Sequence, residues 1–470
     1  MTLLDIIYLL KNEKIRIMKK QIVFALLLML ALLSACSNDE NDTWSDIPNS
    51  EVKPITSKNK IIYEVNVYAY SAEGNFKGLE KDLPRLKELG VDILWLMPIH
   101  PIGIKNRNGT LGSPYGVRDY KAVNPDFGSD NDFKSLIKAA HDQNIEIWMD
   151  WVANHTAWDN VWVTTHLDFY AEKDGQRPYS PNGWSDAIQL DYNNMEMRDS
   201  MINAMKYWVR EFNIDGYRCD AAALVPLSFW IEARKEVDAI KKITWLCEAD
   251  DPTYMQTFDY NYDWLLSNAM NKFGKDNDIS SLVSTYKSMF SDSNYKDKSR
   301  IVFFTNHDLN AFEGTEFQRL GNNVLPFTVF IFTIYDMPLI YNGQEIGMNK
   351  VMNFAERSLV EWSATNETYV SLYKKLTQLR HTQSALEAGT NRGTLKIYPT
   401  NQENVIVYSR VRGNNEVLVV LNLSNTPLSF KFTSEIPSGE FRNYLKNTYM
   451  NFSDNAGISL FQNGYEVYVK

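Results

Sequence analysis

The sequence predicts an α/β protein: a (β/α)8 TIM barrel with a short domain inserted after its third strand, followed by a C-terminal antiparallel β-sandwich domain. Three observations carry this. Between residues 60 and 387, apolar runs of strand length alternate with stretches at helical spacing, and eight such strands can be counted. The strands are nearly continuous in apolar character, as in a parallel sheet covered on both faces. From Thr394 onward the helical spacing stops, and short alternating runs are split by Asn and Gly. A chain of 470 residues, 44% apolar and 23% charged, has room for one barrel-sized domain and a smaller partner.

The barrel is expected over 59–390, with the insertion at 153–193 and the β domain at 391–470. Ile61 to Tyr70 is β-branched and aromatic and predicts the first strand. Phe76 to Leu89 carries a helical pattern that stops at Gly90. Val91 to Ile99 and Ile145 to Val152 are strands two and three, with a helix over Asp130 to Gln143 between them. Ala153 to Asn193 holds no sustained period. Met195 to Phe212 is amphipathic at helical spacing and leads into strand four, Ile214 to Ala221. A helix over Phe229 to Ile240 precedes strand five, Ile243 to Glu248, and strand six lies near Phe258 to Trp264. Strand seven is Ile301 to Thr305, then a helix over Val324 to Tyr335, strand eight at Met337 to Tyr341, and a last helix over Tyr369 to Glu387. An open, doubly wound sheet is the competing architecture, but no glycine-rich phosphate loop follows the first strand. Leu395 to Pro399, Val405 to Arg410, Glu416 to Leu423, Leu428 to Phe432 and Tyr465 to Val469 supply strands of the β domain.

The N-terminus reads as a targeting segment. Lys19 and Lys20 precede the apolar run Ile22 to Leu33, and Leu33-Ser34-Ala35-Cys36 follows. That run falls short of the ~20 residues a transmembrane anchor needs. Leu-Ser-Ala-Cys resembles the lipobox of bacterial lipoproteins. The resemblance implies a signal segment over 1–36 starting at Met18, lipidation of Cys36, and an acidic tether over 37–58 that includes Asp39, Glu40 and Asp42. It implies export and a lipid anchor, with the outer membrane the expected location and other proteins of a glycan-uptake system the expected partners. A formal charge of −10 and a pI near 5.3 argue against nucleic acid and against an anionic membrane surface as ligand. The 26 Tyr and 12 Trp suit sugar faces as well as cores, so composition leaves carbohydrate open. Apart from Cys36 only Cys219 and Cys247 remain, too few for a disulfide framework or a metal cluster, and both are expected to be buried thiols.

Chemistry in such barrels sits at the C-terminal strand ends, and here those ends are polar. Strand three runs out as Asp150-Trp151-Val152-Ala153-Asn154-His155, strand four as Arg218-Cys219-Asp220, strand five as Cys247-Glu248, and strand seven as Thr305-Asn306-His307-Asp308. Residues i and i+2 of a strand face one side, so Arg218 and Asp220 point together and Cys219 points away. Taken alone, that pair is a structural ion pair, and either histidine alone is a satisfied core or loop residue. The recurrence of carboxylates at successive strand ends points instead to a catalytic site. Two carboxylates in different settings are the tool of glycoside hydrolysis, one protonated to donate and one ionised to attack. Arg218 beside Asp220 is expected to keep that carboxylate charged. The apolar approach Trp245-Leu246-Cys247 is expected to raise the pKa of Glu248 and suit it to proton donation.

Asp150-x-x-x-Asn154-His155, Gly216-Tyr217-Arg218-x-Asp220, Glu248 and Asn306-His307-Asp308 resemble, in order, the four strand-end motifs of the α-amylase family of retaining glycoside hydrolases. The resemblance implies Asp220 as nucleophile, Glu248 as general acid/base and Asp308 as the carboxylate that fixes substrate hydroxyls. It places Asp150, His155, Arg218, His307 and, in Ser113-Pro114-Tyr115-Gly116, the ring of Tyr115 around the same sugar. Tyr341-Asn342-Gly343-Gln344-Glu345 resembles the family's strand-eight motif. The implied substrate is an α-glucan or malto-oligosaccharide, with no cofactor required. The same residues would also serve a transglycosylase, and a non-catalytic glucan-binding lipoprotein is the reading from another class. Asn154 and Asp191 match two family calcium ligands by position, but two ligands do not make a site. Beyond the nucleophile, Ala223 and Leu224 stand where the family often has Lys-His.

Overall fold

The computed structural model describes residues 59–295, 297–452 and 457–470. The signal segment, Cys36 and the acidic tether fall outside the described residues. Eight parallel strands close into a barrel: β1 (Ile62–Val65), β2 (Ile93–Leu96), β3 (Glu146–Val152), β6 (Gly216–Asp220), β7 (Thr244–Cys247), β8 (Tyr260–Tyr262), β9 (Ser299–Val302) and β10 (Met337–Tyr341). Between the third and fourth barrel strands, β4 (His155–Ala157) and β5 (Ala187–Gln189) pair as an antiparallel hairpin inside the insertion.

Alternation along each strand sorts the side chains. Ile62, Trp95, Trp148, Leu246, Tyr262 and Leu339 meet inside the barrel. Their neighbours Tyr63, Leu94, Ile147, Tyr217, Trp245 and Cys247 face outward into the helix layer. Cys219 lies in that outer layer as expected, and both it and Cys247 are buried free thiols.

Two expected elements are cut short by local chemistry. The first strand stops at Val65 because the Asn66 side chain accepts the Tyr68 N–H and starts a helical turn, Val67–Tyr70. The helix expected over Phe76 to Leu89 is two, Phe76–Glu80 and Leu83–Leu89, because Pro84 lacks an N–H and sits in the first turn of the second. The helix Met195–Phe212 has the expected bounds; Asn194 caps its start, and Asn213 closes it in the left-handed conformation. Helices Trp264–Asp276 and Ile279–Ser291 add to the expected set, both between β8 and β9.

The C-terminal strands are β11 (Thr394–Ile397), β12 (Val405–Arg412), β13 (Asn415–Asn422), β14 (Leu428–Phe430), β15 (Glu440–Asn443), β16 (Tyr449–Asn451), β17 (Ile458–Leu460) and β18 (Tyr465–Val469). Six form an antiparallel sheet in the order β11-β12-β13-β18-β15-β16, and β14 pairs with β17. Val405, Val407, Leu418 and Val420 on one sheet face share a core with Phe430, Ile458 and Leu460 of that ribbon. Ile406, Tyr408, Val417 and Val419 on the other face join the barrel's core. Tyr408 meets Thr333 at 2.5 Å, and the buried Arg410 guanidinium donates to the Ile334 carbonyl. Both contacts fall at the end of the helix Val324–Thr333.

Candidate active site

The polar strand ends converge at the C-terminal mouth of the barrel, on a cleft of about 950 Å³. Of the eight residues expected around one sugar, Tyr115, His155, Asp220, Glu248, His307 and Asp308 line the cleft. Asp150 and Arg218 are not on its wall. They are 1% and 0% exposed and form the layer beneath.

Arg218 organises that layer. Its Nη1 donates to Asp150 Oδ1 at 2.9 Å and to Asp220 Oδ1 at 2.8 Å. Its Nη2 lies 3.0 Å from Glu248 Oε2, and its Nε donates to the Tyr262 hydroxyl at 3.0 Å. Its guanidinium carbon also lies 5.0 Å from the centre of the Trp95 ring. Arg218 therefore does not serve Asp220 alone, as the i, i+2 spacing suggested, but spans carboxylates from three successive barrel strand ends. Asp150 is further held by the Trp95 indole N–H and the Tyr115 hydroxyl, each at 3.1 Å.

The setting expected for Glu248 needs correction. Trp245 and Cys247 point away into the helix layer, and only Leu246 faces the barrel interior. The carboxylate itself accepts the Ala221 N–H at 2.7 Å and pairs in charge with Arg218. Ala221 sits at φ 43° and ψ 40°, a left-handed conformation that a Cβ disfavours. Backbone strain immediately after Asp220 accompanies this N–H contact with the next strand's carboxylate.

On the opposite wall, His307 Nδ1 meets Glu64 Oε1 at 2.5 Å, and its Nε2 meets the Tyr115 hydroxyl at 2.7 Å and Asp308 Oδ2 at 3.3 Å. The Tyr115 and His307 rings stack at 5.2 Å with an 18° tilt. His155 is also buried, which pushes its imidazole down to about 4, so it is neutral near pH 7. It lies 5.0 Å from the ring of Trp184.

Burial pushes Asp150 up to about 7 against the pull of Arg218. Asp220 is raised by burial and by Asp308, with Arg218 opposing, and Asp308 is raised by burial with His307 opposing. Charge counting gives the same picture. Glu64, Asp150, Asp220, Glu248 and Asp308 are five carboxyl groups set against two cationic side chains, Arg218 and His307. Crowding of anions at the barrel mouth thus works with burial to raise Asp150 and Asp220, against the pull of Arg218.

Glu64 was not among the expected residues, although its signal was visible as a carboxylate inside the apolar run Ile61-Ile62-Tyr63-Glu64-Val65. Phe312 and Phe354 were also missed; they extend the aromatic wall beyond Tyr115 along the cleft through edge-to-face contacts, and Phe312 is 74% exposed. In the strand-eight motif, Glu345 is buried under the barrel wall, bonded to Tyr63 and Arg85.

The two calcium candidates do not fit a calcium ion. Asn154 Oδ1 accepts a hydrogen bond from Gln189 Nε2 at 3.1 Å, and the same amide nitrogen donates to the carbonyls of Asn154 and Leu190 at 3.0 and 3.2 Å. Three oxygens thus converge on a neutral side-chain donor, where a cation would need them bare. Asp191 accepts from the Asn193 N–H. Among the described residues, no group of three or more His, Cys, Asp or Glu side chains is placed to hold a metal.

A closed parallel barrel with carboxylates gathered at its C-terminal mouth is an arrangement that suits a barrel glycosidase. A family model, "Alpha amylase, catalytic domain", matches residues 37–188 and 171–377. The chain belongs to the α-amylase family. It is 25% identical over 414 residues to "Alpha-amylase MalA" of Haloarcula japonica, covering 83% of this chain but only 60% of that protein. It is 26% identical to "Alpha-amylase 3" of Dictyoglomus thermophilum, covering 83% of this chain and 89% of that one. Among solved structures, the noncanonic maltogenic α-amylase AmyB from Thermotoga neapolitana superposes with a TM-score of 0.78 at 31% identity, covering 88% of this chain and 99% of that one.

Proposed function

We propose that the protein is a retaining glycoside hydrolase that cleaves α-glucosidic bonds in starch-type glucans or malto-oligosaccharides. The observation that carries this is the single guanidinium of Arg218 spanning Asp220 and Glu248. Such a bridge suits the ~5–5.5 Å carboxyl separation of retaining enzymes, in which one carboxylate attacks directly. Glu248 protonates the glycosidic oxygen as Asp220 attacks the anomeric carbon, giving a β-glycosyl ester. Water, deprotonated by Glu248, then opens the ester and releases product with α configuration. Asp308 and His307 hold the hydroxyls of the reacting sugar, and Tyr115 supports its ring. Asp150 acts from below by fixing Arg218 and Tyr115.

Asp220→Asn removes the nucleophile at nearly constant volume. Hydrolysis of starch and maltotriose is expected to fall by at least about a thousandfold; full retained activity would refute Asp220 as the nucleophile, and glucan binding without hydrolysis by the wild-type protein would favour a glucan-binding protein. A time course of products from starch, pullulan, maltose and isomaltose separates hydrolysis from transfer, since transfer builds longer chains before free sugar accumulates. We further infer export and lipidation at Cys36, supported by the sequence Leu33-Ser34-Ala35-Cys36 after an apolar run. Incorporation of a labelled fatty acid that persists in Cys36→Ala would overturn this.

A further inference from the structure

We propose that Glu64 is a positioning residue for the reaction, acting through His307: it holds the ring by Nδ1 so that the Nε2–H is presented to the Tyr115 oxygen, with the Asp308 carboxylate beside it. Both ring nitrogens face carboxylate oxygen: Nδ1 lies 2.5 Å from Glu64 Oε1, and Nε2 lies 3.3 Å from Asp308 Oδ2. A neutral imidazole carries one N–H and one lone pair, so one of those oxygens would face a lone pair. With both nitrogens protonated, each faces a donor, and the remaining hydrogen bonds fall into one direction. His307 Nε2–H is directed at the Tyr115 oxygen at 2.7 Å, and the Tyr115 O–H donates to Asp150 Oδ2 at 3.1 Å.

Glu64 is built for this task and for little else. It is 0% exposed, in register between Trp95 of β2 and Tyr341 of β10, and its second oxygen has no hydrogen-bond partner. A buried carboxylate with one free oxygen is costly unless its charge is used. Here the charge faces the cation that lines the cleft.

The titratable and charged groups around His307 are Glu64 from β1, Tyr115 from the loop after β2, Asp150 from β3, Arg218 and Asp220 from β6, and Asp308 beside it. Asp308 and Glu64 raise the imidazole against burial and Arg218, to about 9. The charge is therefore present at neutral pH and lost only as pH rises toward 9.

The proposal rests on the glycosidase reading above, and its test separates the two. In Glu64→Gln the amide oxygen still accepts the Nδ1–H, so the ring stays in place while the charge partner is removed. The alkaline limb of kcat/KM should move to lower pH by at least one unit, giving a loss of about twofold or more at pH 8 and about fivefold or more at pH 9. Near wild-type activity should remain at the acid end. A uniform loss across pH, or an unchanged profile, overturns the proposal. Independently of any activity and of that variant's folding, 15N resonances of His307 in the wild-type protein, assigned with His307→Gln, should show both nitrogens protonated at pH 7.5. A neutral ring there also overturns it. If the protein hydrolyses no glucan while His307 is doubly protonated, the functional reading fails and the placement by Glu64 stands.

Discussion

Replacing Arg218 with Lys tests the centre of the site most severely. Arg218 is fully buried and spans Asp150, Asp220 and Glu248 with two nitrogens while its Nε reaches Tyr262. A lysine brings one nitrogen on a flexible stem and cannot span three carboxylates. The losses are unequal. Asp150 keeps Trp95 and Tyr115, and Glu248 keeps the Ala221 N–H, whereas the ion pair described for Asp220 is with Arg218. Leaving one buried carboxylate uncompensated costs about 3–5 kcal/mol. For a folded unit of roughly 400 residues, unfolding entropy near 2.1 cal/mol/K per residue turns that into a fall in Tm of about 4–6 °C. The reaction suffers more than the fold, because Arg218 aligns both the attacking and the proton-donating group. A loss of about a hundred- to a thousandfold in kcat/KM is expected. Circular-dichroism melting at pH 7 and steady-state hydrolysis of maltotriose measure the two effects. A variant that melts within about 1 °C of wild type and keeps kcat/KM within about threefold would show that Arg218 does not organise the site.

Two further predictions concern features outside the reacting centre. Glu316 is 2% exposed, and burial raises its carboxyl to about 7. A carboxyl raised on folding favours the native state below its unfolded value, and that advantage is lost as pH climbs toward 7. Glu316→Gln should therefore gain stability relative to wild type on going from pH 5 to pH 8, by up to about 3 kcal/mol, with kcat unchanged; urea melts at the two pH values that show equal differences would contradict it. The Gln189 amide donor at Asn154 predicts that EDTA leaves the melting temperature unchanged, while Gln189→Ala lowers it by a few degrees, at about 1–3 kcal/mol for the unpaired oxygens. Calorimetric scans with EDTA or with added calcium check this, and a large calcium-dependent upward shift in the wild-type protein would refute it.

Strand order, helix positions and the main polar clusters were legible because each depends on short-range spacing. Met195–Phe212 and β10 came out with their expected bounds because caps and apolar periods lie within the elements themselves. The errors were local too, and Asn66 and Pro84 carried signals of a cap and a break inside longer apolar patterns. In the C-terminal part, β15, β16 and β17 are three or four residues long and carry little pattern of their own; β15 finds its place by pairing with β18, whose bounds were as expected.

Partnership across the chain was a different matter. Glu64 and His307 are 243 residues apart, and nothing near either one names the other. Trp245 and Cys247 made an apolar approach to Glu248 on paper, yet strand alternation turns both outward, while the neighbouring chain segment supplies the charge of Arg218 and the N–H of Ala221. The Asn154 oxygen matched a metal ligand by position until Gln189, on the facing strand of the hairpin, took it up.

By itself the sequence determined the barrel, the antiparallel C-terminal sheet and the identity of the carboxylates at the strand ends, because spacing of 2 or 3.6 residues fixes which side chains share a face. Only the tertiary structure decided that Asp150 and Arg218 lie beneath the cleft and not on its wall, that one guanidinium serves three carboxylates, and that Glu64 stands behind His307. Those facts depend on which strands become neighbours when the barrel closes. Closure brings groups hundreds of residues apart within hydrogen-bond reach behind the cleft, where each charge is set by its neighbours as well as by its own chemistry.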